Sequence, residues 1–446
     1  MTSAKLFLAT LAMTALAKPA LALDANALTQ IESLFRDFSH PNAPGASVMV
    51  IHNGKPIFAK GFGLADLDKK TPCTTNTNFR LASVTKQFTA MAVLMLVERG
   101  KLSLDDRLTD AFPEFPAYGK PITVRHLLTH TSGLLDYEDL IPPGTTIPVL
   151  DRDVLRVLME NTSASPPAGV HRVAWTENPA ENEARLKREL QQRGSRPAET
   201  PKHTTYFPPG SQFRYSNSGF ALLALIVEVR SGETFAHFLK ENIFEPLKMA
   251  NTLAYEQGLA VVPNRAFGHT PKSDSLSPSD GERARERGKF ERTDQSLTSS
   301  VLGDGGVYSS VVDLAKWDAA LYGRKLVSEP MLRVAFSPAP GTERAGLRRG
   351  GSESKVAPGI QPSNAIVSTA AGTAALRGGY GFGWFIGEYR GLKEIFHGGD
   401  TIGFRTRIAR FPEKRFTVVI LANRADAKLD ELPHKIADLV LFVNAR

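Results

Sequence analysis

The chain has 446 residues, of which 42% are hydrophobic and 22% charged, an ordinary globular composition that allows one large domain or two. Its single cysteine, Cys73, excludes an intramolecular disulfide and a cysteine-rich metal site. The net charge of +8 could suggest a nucleic-acid partner. However, the basic residues are dispersed among acidic ones in hydrophilic stretches, so we expect no nucleic-acid binding.

The N-terminus has the features of a secretory signal peptide. A short basic start precedes an apolar run, Leu6–Ala17, and Ala20-Leu21-Ala22 is a small-residue cleavage pattern. The apolar run is interrupted at Lys18-Pro19 and is too short to span a membrane. We therefore predict that residues 1–22 are removed and that residues 23–446 form a periplasmic or secreted protein without a membrane span.

The first part of the mature chain alternates helix and strand patterns. Apolar residues at helical spacing between 28 and 38 predict a first helix. Two strand-like runs, Ala46–His52 and Pro56–Phe62, flank Asn53-Gly54, which predicts a tight β-hairpin. A buried helix is expected from about Ser83 to Glu98, followed by a mostly helical middle region that extends to about residue 300. One helix of this middle region is expected over Phe235–Asn242.

The C-terminal part returns to strands. The predicted strands and closing helix are Ile395–His397, Phe404–Phe411, Phe416–Ala422 and Leu429–Val443. Strands at both chain ends with short links predict one mainly antiparallel sheet built from the two ends and flanked by helices. The fold class is therefore α/β of the α+β type, with a sheet lobe at 24–100 and 300–446 and a mostly helical lobe at 101–299. A cleft between the lobes is the expected place for a site.

Three hydrophilic stretches interrupt this organisation, at 171–203, 272–292 and 338–378. They contain basic residues mixed with acidic ones and offer little apolar surface to bury. We predict that all three are flexible insertions within the catalytic domain.

Ser83-Val84-Thr85-Lys86 places a hydroxyl and an amine on one face at the start of the buried helix. Burial near the positive end of a helix dipole should lower the pKa of the lysine, so that a neutral amine can take the serine proton. The same helix start offers backbone N–H groups to an oxyanion. The motif is weak by itself, because an N-capping serine followed by a solvent-facing lysine has the same spacing.

Further motifs follow in order along the chain. They are Tyr215-Ser216-Asn217 before an apolar helix, His397-Gly398-Gly399 at the end of a strand, and the blocks Phe79–Ala82, Leu127–Leu134, Gly305–Ser309, Asp313–Trp317 and Tyr380–Trp384. Together with Ser83 and Lys86, this order resembles the serine β-lactamase and DD-peptidase family, that is, proteins like class C β-lactamases and penicillin-binding proteins. The resemblance implies a β-lactamase/transpeptidase-like fold and covers most of residues 28–445 outside the insertions.

The resemblance also implies roles for individual residues. Ser83 would be the nucleophile, and Lys86 and Tyr215 would share proton transfer, with either of them as the base for acylation. Asn217 would bind Lys86 and the substrate amide. The remaining expected substrate-binding residues are His397, Gly398, Gly399 and Asp400: the strand lines the cleft, the glycines admit a substrate backbone, and the N–H groups of Ser83 and Asp400 form the oxyanion hole.

The third motif has histidine where true β-lactamases have lysine. An imidazole is charged only part of the time near pH 7, so efficient β-lactam hydrolysis is in doubt. We expect a hydrolase without cofactor or metal that forms an acyl-enzyme with a small-molecule or peptide substrate, namely an ester, an amide or a D-amino-acid-containing peptide. The alternatives are a DD-carboxypeptidase, a weak β-lactamase, or a penicillin-binding sensor that is acylated without turnover. The sequence leaves the oligomeric state open.

Two other patterns were weighed against this interpretation. His126 and His130 have a spacing that can bind zinc, but no glutamate lies between them in the required motif, so we expect no metal there. Gly303–Gly306 lacks the strand and helix context of a phosphate-binding loop and is expected to be a tight turn.

Overall fold

The computed structural model describes residues 23–141, 145–161, 174–175, 204–272, 290–343 and 378–442. The predicted signal peptide and most of the three predicted insertions lie outside the described residues. Within these ranges, no helix is long and apolar enough to cross a membrane.

Strands from both chain ends form the central sheet, as predicted. The described strands are β1 Ala46–His52, β2 Lys55–Phe62, β3 Leu64–Asp66, β4 Thr71–Pro72, β5 Phe79–Arg80, β6 Ala174–Trp175, β7 Leu253–Ala254, β8 His269–Pro271, β9 Phe290–Arg292, β10 Gln295–Ser296, β11 Val307–Ser309, β12 Gly379–Tyr380, β13 Phe385–Tyr389, β14 Leu392–Thr401, β15 Phe404–Phe411 and β16 Phe416–Ala422. Within the described part of the chain, the largest sheet has seven antiparallel strands in the order β12-β13-β14-β15-β16-β1-β2.

The hairpin that starts the sheet has the expected turn. Asn53 and Gly54 have φ angles of 52° and 74°, the left-handed pair that a two-residue turn between twisted strands requires. β1 then joins β2 to β16, with Val50 opposite Val418. Strands from the two ends of the chain are therefore hydrogen-bonded to each other within this sheet.

Helices cover both faces of this sheet. The described helices are α1 Ala25–Ser33, α2 Lys86–Glu98, α3 Leu108–Ala111, α4 Val124–Leu128, α5 Asp151–Glu160, α6 Asn217–Ser231, α7 Phe235–Leu239, α8 Leu302–Gly305, α9 Val311–Ala320, α10 Glu329–Ala335 and α11 Leu432–Leu441. Successive residues of β1 point to opposite sides: Val48 and Val50 belong to the core under α1 and α11, whereas Met49 and Ile51 belong to the larger core. β1 is thus buried on both of its faces.

The larger core is built around α2 and α6. Residues Ala90–Leu96 of α2 are all buried, which agrees with their uninterrupted apolar sequence. Phe88 on the same helix contacts Phe244 and Trp317, with ring centroids 5.4 and 4.5 Å apart. α2 of the predicted sheet lobe and α6 of the predicted helical lobe belong to this one cluster, so the core is continuous across the boundary between the two lobes.

Two details differ from the sequence prediction. The helix expected over Phe235–Asn242 ends at Leu239 and continues as a wider π-helical turn, Lys240–Phe244. The predicted insertion at 272–292 is shorter than expected at its C-terminal end, because β9 pairs with β8 in an antiparallel ladder. The Arg292 guanidinium also lies 3.5 Å from the centre of the Phe267 ring, so this end packs against the domain.

Candidate active site

Ser83 lies on a 3-10 turn, Ala82–Thr85, that leads directly into α2. The preceding residue, Ala82, has a φ angle of 49°, in the left-handed region that costs a non-glycine residue about 1 kcal/mol or more. β5 pairs with β11 just before this turn, with Arg80 opposite Tyr308. The serine is therefore held on a strained turn between a fixed strand and a buried helix.

Lys86 is the first residue of α2 and is completely buried. Its Nζ donates hydrogen bonds to Ser83 Oγ at 3.1 Å, to Asn217 Oδ1 at 2.8 Å and to the backbone oxygen of Asp304 at 2.9 Å. Burial lowers the pKa of this amine to about 8, against the opposing effect of the nearby carboxylates, chiefly that of Asp304. Near neutral pH, the fraction of Lys86 that is neutral and can accept a proton is therefore much larger than for an exposed lysine.

Tyr215 stands over Lys86, whose Nζ lies 4.9 Å from the centre of the tyrosine ring. The buried hydroxyl of Tyr215 has no hydrogen-bond partner of ordinary geometry among the described residues. Burial raises its pKa well above 10, although the neighbouring Ser83 hydroxyl acts in the opposite direction. The phenol is thus a neutral donor beside Ser83.

Two buried acids near Lys86 were not predicted from the sequence. Asp136 accepts the backbone N–H of Asn217 at 3.2 Å, and Asp304 accepts the Tyr137 hydroxyl at 2.9 Å. Burial raises the pKa of Asp304 to about 6 and also raises that of Asp136. Asp304 lies in the Gly303–Gly306 segment, which forms the short helix α8 and not merely a tight turn. Asp304 directly precedes Gly305–Ser309, one of the blocks that carry the family resemblance, and this position was the signal that could have identified it.

His397 differs from the expectation for the third motif. It is 2% exposed, and burial, with a smaller contribution from Lys86, lowers its pKa to about 3, so the imidazole is neutral near pH 7. Its Nδ1 lies 2.6 Å from the backbone oxygen of Gly398, which requires the proton on that nitrogen, and Nε2 then accepts the Tyr380 hydroxyl at 3.1 Å. Its ring also packs against Phe385, with centroids 5.2 Å apart. Both ring nitrogens of His397 are therefore occupied within the protein.

The glycines of β14 have different environments. A Cβ atom at Gly399 would lie 2.1 Å from the backbone oxygen of Leu81, so this glycine lets the strand contact the turn of Ser83. A Cβ atom at Gly398 would meet nothing closer than 3.5 Å. Gly399 thus makes room for the chain's own backbone at Leu81, whereas the sequence led us to expect a substrate backbone beside it. Asp400, the next residue, is exposed and its carboxylate lies 3.2 Å from Arg405 Nε.

An open pocket of about 370 Å³ includes Ser83. The residues on its walls include Arg80, Asn217, Thr298, Asp304, Asp400 and Thr401. The structure therefore brings Ser83, Asn217 and Asp400 to one pocket and holds Lys86 directly beneath Ser83. His397 is not among the residues that line this pocket, and its ring lies beside those of Tyr380 and Phe385.

The histidines at 126 and 130 have separate hydrogen-bond partners in the backbone. His126 Nδ1 accepts the backbone N–H of Thr123 at 3.2 Å, whereas His130 is buried and its Nδ1 accepts that of Ser216 at 3.2 Å. Among the residues that the structure describes, no group of three or more histidine, cysteine or acidic side chains could hold a metal ion.

This fold and this arrangement of serine, lysine, tyrosine and asparagine define a serine hydrolase of the β-lactamase and penicillin-binding-protein type. The chain belongs to the Beta-lactamase family, whose model matches residues 31–441. The family resemblance and the fold class predicted from the sequence are thereby confirmed.

Individual relatives are distant. Penicillin-binding protein 4* of Bacillus subtilis (strain 168) is 26% identical over 423 residues, which cover 94% of this chain and 76% of that protein. Protein flp of Staphylococcus aureus (strain COL) is 24% identical over 88% of this chain, and the match spans only 62% of that protein's length. The solved structure of D-amino acid amidase from Ochrobactrum anthropi SV3 has a TM-score of 0.61 at 20% identity, covering 93% of this chain and 98% of the amidase. This likeness shows a shared fold.

Proposed function

We propose that the protein hydrolyses an ester, an amide or a D-amino-acid-containing peptide through an acyl-enzyme on Ser83. The observation that carries this proposal is the hydrogen bond of 3.1 Å between the buried amine of Lys86 and Ser83 Oγ. An amine with a pKa of about 8 is matched to proton transfer near neutral pH, whereas an exposed lysine would remain charged. The amidase fold neighbour and the penicillin-binding relative support this class of substrate.

In the first half of the reaction, neutral Lys86 takes the proton of Ser83 as Oγ attacks the substrate carbonyl carbon. The resulting oxyanion is stabilised by the backbone N–H groups of Ser83 and Asp400. Collapse of this intermediate breaks the ester or amide bond, and the leaving group takes a proton delivered through Lys86 and the Tyr215 hydroxyl. Asn217 holds Lys86 and binds the substrate amide.

In the second half, a water molecule attacks the acyl-enzyme. Its proton passes to the same amine and hydroxyl pair, and then to Ser83 as the acid product leaves. Lys86 and Tyr215 thus act as base and acid in turn. No metal or cofactor takes part in these steps.

Covalent labelling tests the nucleophile directly. A fluorophosphonate should modify Ser83, and peptide mapping by mass spectrometry should locate the adduct there. Ser83→Ala should abolish both labelling and turnover of 4-nitrophenyl acetate, whereas Ser211→Ala, at an exposed serine, should retain both. An adduct on another serine, or undiminished turnover in Ser83→Ala, would refute the mechanism.

The second candidate is a penicillin-binding sensor that is acylated but not deacylated, which the name of the Bacillus subtilis relative favours. Burst kinetics with an activated ester distinguish it from the hydrolase. Sustained release of nitrophenol beyond one equivalent supports the hydrolase, and a burst that stops at one equivalent supports the sensor. A panel of nitrocefin, a D-alanyl-D-alanine peptide and D-amino-acid amides would then identify the substrate class.

Export to the periplasm or the medium is part of the proposal and rests on the N-terminal sequence pattern. Fractionation of cells that express the whole chain, followed by N-terminal sequencing, tests it. A mature protein that begins at Leu23 outside the cytoplasm supports export, and an intact N-terminus in the cytoplasmic fraction contradicts it.

A further inference from the structure

A buried guanidinium forms part of the wall of the active-site pocket. Arg80 is 3% exposed and lines the pocket together with Ser83 and Asn217. It lies on β5, where pairing with Tyr308 of β11 fixes its backbone. Because arginine remains protonated at every pH at which proteins are folded, the pocket contains a permanent positive charge.

The hydrogen-bond partners of Arg80 are neutral. Nη1 donates to Gln295 Oε1 at 3.1 Å, and Nη2 donates to the backbone oxygen of Ser299 at 2.6 Å. The buried Nε has no partner among the described residues. In the described part of the chain, no carboxylate oxygen lies within 4.0 Å of a guanidinium nitrogen of Arg80, the distance that defines an ion pair. Of the five N–H donors of a guanidinium, several therefore remain unused.

Gln295 keeps this charge separate from the nearby buried carboxylate of Asp294. Its amide nitrogen donates to Asp294 Oδ2 at 3.2 Å and to the Tyr308 hydroxyl at 2.9 Å, so its oxygen faces Arg80. Asp294 is itself bound by Arg265. A neutral amide thus orients Arg80 without neutralising it.

Burying a cation without a directly bound counter-ion is unfavourable, unless an anion arrives with a ligand. We propose that Arg80 is an anion subsite of the active site and binds a carboxylate of the substrate. The substrate class is then an ester or amide that also carries a carboxylate, as a peptide with a free C-terminus does. This inference rests on the hydrolase function proposed above.

Three acidic side chains, Glu138, Asp304 and Asp400, also line the pocket. The guanidinium of Arg80 acts on Asp304 through space and opposes the burial that raises its pKa, but the two side chains form no ion pair. Asp304 accepts the Tyr137 hydroxyl at 2.9 Å, and Asp400 lies 3.2 Å from Arg405. These carboxylates would repel an anion on their side of the pocket. Half-buried Thr298 lines the same pocket. It directly precedes Ser299, whose backbone oxygen accepts a hydrogen bond from the Arg80 guanidinium. We therefore place the subsite at Arg80 and Thr298.

Matched pairs of activated esters test the proposal. One pair places the carboxylate in the acyl part, 4-nitrophenyl hydrogen glutarate against 4-nitrophenyl methyl glutarate. The other places it in the leaving group, 3-carboxyphenyl acetate against phenyl acetate. In at least one pair, kcat/KM should be higher for the carboxylate by about tenfold or more, the usual effect of a hydrogen bond to a charged group, after correction for intrinsic reactivity. The pair that responds shows which part of the substrate lies at Arg80.

Three variants locate the effect. Thr298→Asp should reduce the preference to about twofold or less, because a carboxylate of the protein would occupy the subsite. Thr298→Asn, of equal size and neutral, should keep the preference. Arg80→Gln should also lose the preference, measured as the ratio of kcat/KM for the two members of each pair. If Arg80→Gln does not fold, Thr298→Asp decides, because a half-buried position tolerates the change.

The outcomes separate this inference from the hydrolase proposal. If no ester is hydrolysed and Ser83 is not labelled, the proposed function fails. If the esters are hydrolysed but neither pair shows a preference, or the neutral member is preferred, the anion subsite is refuted. The subsite is also refuted if both Thr298→Asp and Arg80→Gln keep the preference for the carboxylate ester. The same holds if Arg80→Gln lowers kcat/KM equally for both members of a pair and Thr298→Asp leaves the preference unchanged.

Discussion

The Nζ of Lys86 lies 2.8 Å from the Oδ1 of Asn217, and this contact joins the first residues of two buried helices. α2 begins at Lys86 and α6 begins at Asn217, and both helices are apolar on nearly all sides. The packing of the larger core therefore fixes the distance between these side chains. The proposed base is therefore held by two helices of the packed core and does not depend on a loop.

The first prediction concerns the pH dependence of this base. Lys86 accepts a proton only when neutral, and the neutral fraction grows as the pH rises through its pKa of about 8. We expect kcat/KM for a neutral ester to increase about tenfold per pH unit below this value and to level off above it. Asp304→Asn should move the acidic limb to lower pH, because it removes the largest opposing negative charge.

Substitution of Lys86 tests its role as the base, and substitution of an exposed lysine is the control. Lys86→Ala should lower kcat/KM by about 10³-fold or more, since nucleophile and base act as a unit. Lys101→Ala, at an exposed lysine, should leave it unchanged. A Lys86→Ala enzyme that keeps the wild-type pH profile would show that another group is the base.

The second prediction uses the paired glycines of β14. Gly399→Ala places a Cβ atom 2.1 Å from the backbone oxygen of Leu81 and 2.3 Å from Thr406 Oγ1, so the strand must move away from the turn of Ser83. We expect kcat/KM to fall by about 10²-fold, the effect of a displacement near 1 Å. Gly398→Ala places the new atom at ordinary contact distances, 3.5 Å or more from its neighbours, and should cost less than about threefold. Equal losses in the two variants would mean that this contact does not position the nucleophile.

Much of the fold could be predicted because local patterns and long-range packing agree. Asn53-Gly54 required a tight hairpin, and the apolar run at Ala90–Leu96 required a helix buried on all sides. The predicted strands Phe404–Phe411 and Phe416–Ala422 match the observed ones. The end of α7 could not be predicted, because the π-helical turn after Leu239 follows from tertiary packing and not from local preference.

The site was predictable in its residues but not in their environments. Ser83, Lys86 and Asn217 were found by motif, and the structure brings them together. The burial of His397 could not be inferred, because Tyr380 and Phe385, which enclose it, belong to other strands. The same holds for Asp304, whose carboxylate is oriented by Tyr137 from a distant segment. Side-chain partners that meet only after folding leave no periodic signal in the sequence.

The third prediction concerns a buried ion pair between α9 and the sheet. Arg410 Nε lies 2.6 Å from Asp318 Oδ1, which also accepts the Thr417 hydroxyl at 2.8 Å, and the two charged side chains are 1% and 3% exposed. Asp318→Asn should reduce the free energy of unfolding by about 3 kcal/mol, because Arg410 stays buried without its counter-ion. The exposed pair of Glu329 and Arg333 is the control, and Glu329→Gln should cost less than about 1 kcal/mol. Urea denaturation measures both, and equal costs would argue against the pair as a structural link.

The last prediction concerns the third motif. Because burial lowers the pKa of His397 to about 3, the pH profile of the wild type should contain no inflection from this residue between pH 5 and 9. His397→Lys restores the lysine of true β-lactamases, but its amine would be buried near the positive charge of Lys86 and would displace the histidine that accepts the Tyr380 hydroxyl. We expect the melting temperature to fall by about 5 °C or more. The ratio of kcat/KM for nitrocefin to that for 4-nitrophenyl acetate should not rise. His237→Lys, at an exposed histidine, controls for the added charge and should leave stability unchanged. An increased ratio in His397→Lys, without loss of stability, would show instead that this position faces the substrate.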